Sequence, residues 1–189
     1  MATAETAITA EKLLTAEEFR LLPDDGIPME LVRGRIVTMN VPAPRHGYFC
    51  GRIVRVVGNF AEERDVGRAL CNDSGVVTEH DPDTVRGADV SYYSYERLPR
   101  GLIPGGYLPV VPEVVFEVRS PTDRWPQVLV KVAEYLNAGV LAVCVHDLQT
   151  ETLTVYRADQ PPRVFNVEEE LVLPEIHADF RVPVRRFFE

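Results

Sequence analysis

Apolar residues recur at the spacing of a helix face in two stretches of this chain. The first covers residues 46–64, and the second begins at Asp123-Arg124-Trp125-Pro126 and continues to about residue 137. A return of apolar residues every three to four positions predicts an amphipathic helix. Pro126 is tolerated in a first helical turn, and Gly139 supplies a stop. The apolar positions of the first stretch are Phe49, Ile53, Val56, Val57 and Phe60.

Strand patterns surround these two helices. Residues 110–118 are strongly β-forming and apolar on both faces, as expected of a central strand. From residue 46 the order is helix, three strands, helix, strand, which predicts an α/β fold with a mixed sheet. The other predicted strands are 69–78, 88–93, 141–146 and 152–156, with short β-like pieces after residue 163.

The first forty residues carry turn and cap signals. Thr15 with Glu18 three positions later predicts the capping box of a short helix. Residues 29–39 alternate around Arg33-Gly34, which indicates a hairpin or one bent strand. We therefore expect residues 1–14 to form a flexible tail and 15–189 to form a single domain.

Composition limits the class of protein. The chain has 189 residues, of which 46% are hydrophobic, and this is enough for one well-packed core. Its apolar runs are far below membrane-spanning length, and its start lacks the pattern of a signal peptide. These features predict a cytoplasmic protein with no membrane association. The net charge of −9 argues against a general nucleic-acid coat protein, although clustered acids that hold a cation would also raise the negative count.

The cysteines and most of the histidines carry no obvious metal-ligand spacing. Cys50, Cys71 and Cys144 are odd in number, which indicates buried thiols in a reducing compartment. The histidines outside the first predicted helix are expected to be structural or at the surface. They are His80, His146 and His177.

Two carboxylates interrupt otherwise apolar strands. Asp89 lies in Gly87-Ala88-Asp89-Val90-Ser91-Tyr92, and Glu117 lies in Val114-Val115-Phe116-Glu117-Val118. An ionised group in a buried strand is costly unless it is compensated. If the two strands pair, both carboxylates can share one Mg²⁺, which would polarise a phosphoryl oxygen and activate a bound water. The alternative for Asp89 is a turn cap after Gly87.

Lys131 lies on the predicted helix that follows Glu117. Its ammonium group could orient the attacking water or stabilise charge on a phosphate. The alternative is a solvated position paired with Glu134 or Asp123. Arg119 has the same strand parity as Glu117 and could reach the same face, but it stays protonated and would be a poor general base.

The order of these residues resembles a known family. The motifs are similar, in sequence order, to those of the Uma-two family of restriction endonucleases, which belongs to the P-D-(D/E)-X-K nuclease superfamily. The resemblance extends from residue 15 to about 187. The motifs are Met29-Glu30-Leu31-Val32-Arg33-Gly34, Pro42-Ala43-Pro44-Arg45-His46, Ala88-Asp89-Val90-Ser91, Val115-Phe116-Glu117-Val118-Arg119-Ser120-Pro121 and Lys131-Val132-Ala133-Glu134-Tyr135-Leu136-Asn137-Ala138-Gly139-Val140.

The resemblance implies a restriction-endonuclease-like mixed sheet flanked by helices, with an N-terminal β-hairpin and a C-terminal β extension. It implies Asp89 and Glu117 as metal carboxylates, and Lys131 as a lysine moved from the strand onto the following helix. Glu30 and His46 would line the same site, although Glu30 could be an exposed strand carboxylate and His46 a helix N-terminal residue. The chain departs from the family pattern at Ala88, in place of a proline, and at Arg119, in the strand lysine position.

Two functions follow as expectations. The first is an endonuclease that hydrolyses DNA phosphodiester bonds with Mg²⁺, or with Mn²⁺ in its place, and acts as a homodimer because duplex cutting needs two sites or two visits. The second is a catalytically inactive nuclease-fold module that binds nucleic acid or a protein partner, which Arg119 and the acidic net charge favour. The arginines between residues 45 and 68 could meet DNA phosphates, or they could form a solvated helix face.

Overall fold

The computed structural model describes residues 12–120 and 123–189, so the tail expected at 1–14 lies largely outside the described residues. Within the described part, Leu14 already donates its backbone N–H to the carbonyl of Gly34 at 2.9 Å. The elements are α1 Ala16–Arg20, β1 Met29–Val32, β2 Arg35–Thr38, α2 Pro44–Arg64, β3 Gly67–Glu79, β4 Thr84–Ser94, β5 Val114–Arg119, α3 Trp125–Asn137, β6 Ala142–Asp147, β7 Thr152–Arg157, β8 Gln160–Phe165, β9 Glu170–Val172, β10 Arg181–Pro183 and a 3₁₀ helix at Val184–Phe187.

One mixed sheet contains eight of these strands in the order β2-β1-β4-β5-β6-β7-β8, with β3 paired to β4. Among the described strands only β5 and β6 run parallel, joined by α3 as a crossover helix. The strands β9 and β10 form a separate antiparallel pair. The predicted mixed α/β architecture is confirmed, including the N-terminal hairpin of β1 and β2 and the C-terminal β extension.

The two faces of the sheet bury separate clusters. On one face, α2 packs Phe49, Ile53 and Val57 against strand residues that include Phe116. On the other face, the cluster joins Val132 and Tyr135 of α3 to Val115 and Val143. Each fully buried side chain of this size contributes roughly 1.5–3 kcal/mol. The alternation of Val115 and Phe116 between these clusters is what makes β5 a central strand.

The predicted start of the central strand is wrong by several residues. The strand begins at Val114 rather than at residue 110. Two prolines at 109 and 112 supply no backbone N–H, which removes ladder donors from this segment. Glu113 instead points its buried carboxylate at Ser94 and accepts that residue's backbone N–H at 2.9 Å.

A β-bulge between β3 and β4 leaves Asp89 outside the regular ladder. The register pairs Cys71 with Val90 and then Ser74 with Ala88, so two β3 residues oppose Asp89. On the other edge of β4, β1 pairs near Val85 and β5 only from Val90 onward. Asp89 therefore lies where the neighbouring strands separate. The two bulged residues are Asn72 and Asp73, at φ 67° and 52°.

The burial of the cysteine thiols and the length of the helices can be compared with the sequence predictions. Cys144 is buried and Cys50 is partly buried, but Cys71 is exposed, so the expectation of buried thiols is wrong for Cys71. The sequence pattern does not register that the bulge turns this part of β3 toward solvent. None of the helices in the described ranges has the length and apolar character needed to span a bilayer.

Candidate active site

The Asp89 carboxylate takes the place of a missing ladder partner. Its Oδ2 atom accepts the backbone N–H of Val118 at 2.6 Å, which ties β4 to β5 through a side chain. The same oxygen lies 3.2 Å from Nε2 of His46 at the start of α2. The register that pairs Val90 with Phe116 puts Asp89 opposite Glu117 at the next position. The predicted pairing of the two carboxylate-bearing strands is therefore confirmed.

Glu117 is buried between β5 and α3. Its Oε1 atom accepts the phenol O–H of Tyr135 at 2.9 Å, and its Oε2 atom lies 3.6 Å from Nζ of Lys131. Tyr135 and Lys131 are four residues apart on α3, so both reach the same side of the sheet. Three side chains that the sequence analysis selected, Asp89, Glu117 and Lys131, thus converge from β4, β5 and α3.

Lys131 forms a closer ion pair with Glu30 than with Glu117. Nζ of Lys131 lies 2.8 Å from Oε1 of Glu30, and Glu30 is only 4% exposed. The alternative of an exposed strand carboxylate is therefore wrong for Glu30. The alternative partners for Lys131, which were Glu134 and Asp123, are also not its partners. The alternative of a solvated helix position is therefore wrong, since Lys131 faces the sheet.

Arg86 completes a buried charge network that sequence reasoning missed. Its Nη1 atom lies 2.7 Å from Glu30, and its Nε and Nη2 atoms bind both carboxylate oxygens of Glu134. All three side chains are at least nine-tenths buried. The network therefore joins β1, β4 and α3 behind Lys131. The sequence signal for this network was Arg86, an arginine beside an apolar strand. An arginine that is buried requires anionic partners.

The pKa of Glu117 is raised to about 8. Burial is the main cause, and the negative charge of Asp89 adds to it, while Lys131 and the Tyr135 hydrogen bond act in the opposite direction. A carboxyl group with this pKa is mostly protonated at neutral pH when no metal is bound. A further positive charge beside Glu117 would lower its pKa and favour the ionised carboxylate.

Lys131 remains a cation in this environment. Burial lowers its pKa, but the carboxylates of Glu117 and Glu30 outweigh burial and raise the pKa above its ordinary value. Glu30 shows the complementary effect, because Lys131 and Arg86 outweigh burial and lower its pKa. Lys131 therefore supplies a fixed positive charge and has no free base form at neutral pH.

His46 and Cys50 stand one helical turn apart at the start of α2. The sulfur of Cys50 lies 3.4 Å from Nδ1 of His46, whose Nε2 faces Asp89. Hydrogen bonding to Asp89 and then to Cys50 raises the pKa of His46 to about 11. His46 is a site residue predicted from the sequence, whereas the contact of Cys50 with it is not predicted. The four-residue spacing within a predicted helix was the signal for it.

Asp73 on the bulge is a further carboxylate beside Asp89. A Cβ atom placed on Gly87 would lie 3.0 Å from Cβ of Asp73, so this glycine leaves the space that Asp73 occupies. Burial, and then the charge of Asp89, raise the pKa of Asp73. The bulge thus places the Asp73 carboxyl group close to Asp89, in addition to Glu117 on β5.

Arg119 does not contact the site carboxylates. Its Nη1 atom lies 3.0 Å from Asp147, and its guanidinium lies over the ring of Trp125, 4.9 Å from the centroid. Arg119 therefore reaches the α3 face of the sheet that Glu117 also faces, as its strand parity predicts, but Asp147 on β6 binds it there instead of Glu117. Asp123 accepts the backbone N–H of Ser120 at 2.7 Å.

The arginines of α2 largely contact this chain itself. Arg45 donates to the carbonyl of Leu148, Arg52 to that of Arg186, and Arg64 to the carboxylate of Asp179. These contacts attach α2 to β6 and to the C-terminal segment. These three side chains already have partners within the chain. Their contacts therefore give no specific support for binding of DNA phosphates by this helix.

A family model described as "Uma2: Putative restriction endonuclease" matches residues 16–185. The chain belongs to the Uma2 family. Among solved structures, a protein described as a putative nuclease belonging to DUF820, from Anabaena variabilis, superposes with a TM-score of 0.77. The two chains share 21% identity over 93% of this chain and 97% of the other, so this match shows a shared fold. No curated protein matches the chain.

The Uma2 match spans every element that contributes to the candidate site. The matched range begins in α1 and extends beyond β10, and it includes the β1, β4, β5 and α3 residues described above. Family membership therefore supports treating these residues as one unit. Within this unit, Lys131 lies within 4 Å of the buried carboxylates of Glu30 and Glu117, and the partly exposed His46 contacts Asp89 from the α2 side.

Proposed function

We propose that this Uma2 protein is a Mg²⁺-dependent endonuclease that hydrolyses DNA phosphodiester bonds. The observation that carries the proposal is the convergence of Asp89 and Glu117 on paired strands, with Lys131 3.6 Å from Glu117. Membership of a family described as restriction endonucleases supports DNA as the substrate.

The donors of this site fit a hard divalent cation. Mg²⁺ prefers carboxylate and water oxygens, and it typically uses one or two carboxylates. The raised pKa of Glu117 reflects its burial and, in addition, the negative charge of Asp89, which Lys131 does not fully offset. We propose that Asp89 and Glu117 hold Mg²⁺, or Mn²⁺ in its place. When bound, the metal supplies a Lewis acid for the phosphoryl oxygen and lowers the pKa of a coordinated water.

Lys131 stabilises the negative charge that grows on the phosphate during hydrolysis. Its raised pKa keeps it protonated, so it acts as an electrostatic group and orients water by donating hydrogen bonds. Glu30 positions Lys131 from behind. Arg86 binds Glu30 and is itself bound by Glu134. His46 positions Asp89 by donating to its Oδ2 atom.

The inactive-module alternative loses one of its supports. Arg119 occupies the strand lysine position, but it is engaged by Asp147, while a lysine still reaches Glu117 from α3. The positive charge beside Glu117 therefore comes from Lys131 on α3 instead of from the strand position that Arg119 occupies. This favours an enzyme over a binding module, and the experiment below distinguishes the two.

The test measures cleavage of supercoiled plasmid and of linear duplex DNA by the purified protein. We expect nicking or cutting with Mg²⁺ or Mn²⁺ and none with EDTA. Asp89→Asn and Glu117→Gln keep side-chain size and should each lower the rate about 100-fold or more, because each removes a charge that the transition state uses. Glu168→Gln is a matched control, since it makes the same carboxylate-to-amide change at an exposed position.

Equal cleavage by both site variants would show that a contaminating nuclease or another site is responsible. If the wild-type protein cuts no DNA and calorimetry detects no Mg²⁺ or Mn²⁺ binding at millimolar concentration, the enzyme proposal is wrong. DNA binding without cleavage would then support the inactive module.

We further propose that duplex cutting uses a homodimer. Two copies would bring one site to each strand, and one copy would need two visits. Light scattering after size exclusion, with and without duplex DNA, measures this directly. A monomer that makes double-strand breaks with linear dependence on protein concentration would contradict the dimer.

A further inference from the structure

His46, Cys50 and Asp89 offer a donor set that differs from that of the carboxylate pair. Each provides one ligand atom, and the imidazole nitrogen, thiol sulfur and carboxylate oxygen all lie within 4.8 Å of one another. They come from two elements, since His46 and Cys50 belong to α2 and Asp89 belongs to β4. The convergence is therefore produced by the tertiary fold and by the helical turn together.

The three ligand atoms lie within 4.8 Å of one another, which is about 1 Å wider than the spacing of a closed tetrahedral metal site. Zinc bonds of about 2.0 Å to nitrogen and about 2.3 Å to sulfur place neighbouring ligand atoms roughly 3.3–3.6 Å apart. The Cys50 sulfur lies 3.4 Å from Nδ1 of His46, and the Asp89 oxygen lies 3.2 Å from Nε2. These two contacts use different ring nitrogens, so the imidazole must rotate until one nitrogen, the sulfur and the carboxylate oxygen face the same ion.

We propose that His46, Cys50 and Asp89 bind a borderline-soft divalent ion such as Zn²⁺, at a site that shares Asp89 with the carboxylate pair. Thiolate and imidazole select Zn²⁺ and similar ions, whereas oxygen-only sets suit Mg²⁺. Binding releases the thiol proton of Cys50 and the proton on the ring nitrogen of His46 that becomes the ligand, and it forms bonds from the metal to S, N and O.

The site is partly accessible from solvent. The His46 side chain is 16% exposed and Cys50 is partly buried, whereas Asp89 is buried. Asp73 lies on the other side of Asp89 and adds a further negative group to the neighbourhood. The site thus attracts cations without being closed to them.

The regulatory consequence rests on the proposed nuclease function. An ion bound to Cys50 and His46 takes up Asp89, which the carboxylate pair also needs. Micromolar Zn²⁺ should therefore inhibit Mg²⁺-dependent cleavage, and excess Mg²⁺ should relieve the inhibition only weakly, because Mg²⁺ does not compete for sulfur.

Cobalt binding tests the site without any activity assay. Co²⁺ substitutes for Zn²⁺ and gives a thiolate-to-cobalt absorption band in the near ultraviolet when a cysteine is a ligand. We expect the full-length protein to show this band on titration with Co²⁺. Cys50→Ser should abolish the band, and His46→Gln should weaken Co²⁺ binding about tenfold or more.

Cys71→Ser is the matched control. It removes an exposed thiol on β3 by the same sulfur-to-oxygen change, and the band should remain at full strength in this variant. Circular dichroism of each variant checks that the fold is retained. Loss of the band in Cys71→Ser, its persistence in Cys50→Ser, or its absence from the wild-type protein would overturn the proposed site.

The two proposals fail in different ways. A cobalt band that depends on Cys50, in a protein that cuts no DNA with any metal, supports the soft-ion site and overturns the nuclease. Mg²⁺-dependent cleavage without a cobalt band does the reverse. Cleavage that Zn²⁺ leaves unchanged, despite a Cys50-dependent band, overturns the sharing of Asp89.

Discussion

Glu117 shows how a single residue can lower stability in the service of a site. Its pKa is raised to about 8 by burial, whereas the ordinary value is 4.5. The folded protein therefore holds a proton on Glu117 between these values that the unfolded chain releases. In this window the contribution of Glu117 to stability falls as the pH rises.

We predict that Glu117→Gln stabilises the metal-free protein at pH 7–8. The amide carries no charge, so the cost of burying a carboxylate disappears, and the gain should be on the order of 1–3 kcal/mol at pH 8. Near pH 4.5 the gain should vanish. Urea unfolding in EDTA across this range measures the difference, and a variant less stable than wild type at pH 8 would contradict it.

Lys131 is the second residue to which the proposed mechanism assigns a role. Lys131→Met keeps the length and apolar stem of the side chain but removes the charge beside Glu117 and Glu30. We expect the cleavage rate to fall about 100-fold or more, because no other cation lies within 4 Å of Glu117 among the described ion pairs. Lys131→Arg should retain part of the activity. Plasmid cleavage at saturating Mg²⁺ measures both variants, and an unaffected Lys131→Met would remove Lys131 from the site.

At the scale of elements, buried charge joins two strands and a helix. Arg86 on β4 binds Glu30 on β1 and Glu134 on α3, and Glu30 in turn binds Lys131. This arrangement fixes the helix that carries Lys131 and Tyr135 against the strands that carry the carboxylates. Packing alone would allow α3 to shift along the sheet, whereas bidentate arginine contacts define one position.

Arg86→Met should be among the most destabilising substitutions in this network. It leaves Glu134 buried without a cation, and breaking a buried pair from one side costs about 3–5 kcal/mol. The double variant Arg86→Met with Glu134→Met should recover part of that loss, since it removes the orphaned charge. Chemical denaturation of both proteins provides the measurement. A single variant that loses less than about 1 kcal/mol would show that the network is weakly coupled.

At the scale of the whole molecule, the C-terminal segment completes the core that supports the site. Leu171, Phe180 and Phe187 are fully buried in the cluster that also contains Phe116 of β5 and Ile53 of α2. The rings of Phe116 and Phe187 are stacked with centroids 6.2 Å apart. A segment of short strands and turns therefore closes the face of the sheet opposite Lys131.

Phe187→Ala should destabilise the protein by about 3–5 kcal/mol, as expected for removal of a buried aromatic ring. Phe188→Ala is the matched control, because this neighbouring ring is only partly buried and should cost less. Thermal unfolding of the two variants compares them directly. Equal losses would show that the last residues are not packed as one unit with the core.

Much of the fold follows from local patterns in the chain. The helices near residues 46–64 and 123–137, the hairpin around Arg33-Gly34 and the central strand all carry strong periodicity or turn chemistry, and each is present. The apolar run that predicts the central strand begins at residue 110, but the strand begins at Val114, because Pro112 supplies no ladder donor and Glu113 stays outside the ladder. Its side chain instead binds Ser94, a contact that no local pattern records.

The sequence by itself determined the mixed α/β architecture and the residues that merit attention, because apolar periodicity and a carboxylate within an apolar strand are local signals. Only the tertiary structure decided the partners of these residues. Lys131 binds Glu30 rather than its helix neighbours, Arg119 binds Asp147, and Cys50 meets His46 and Asp89. The physical reason is that ion pairs and ligand sets depend on through-space distance, which strand order, the bulge and helix orientation establish together.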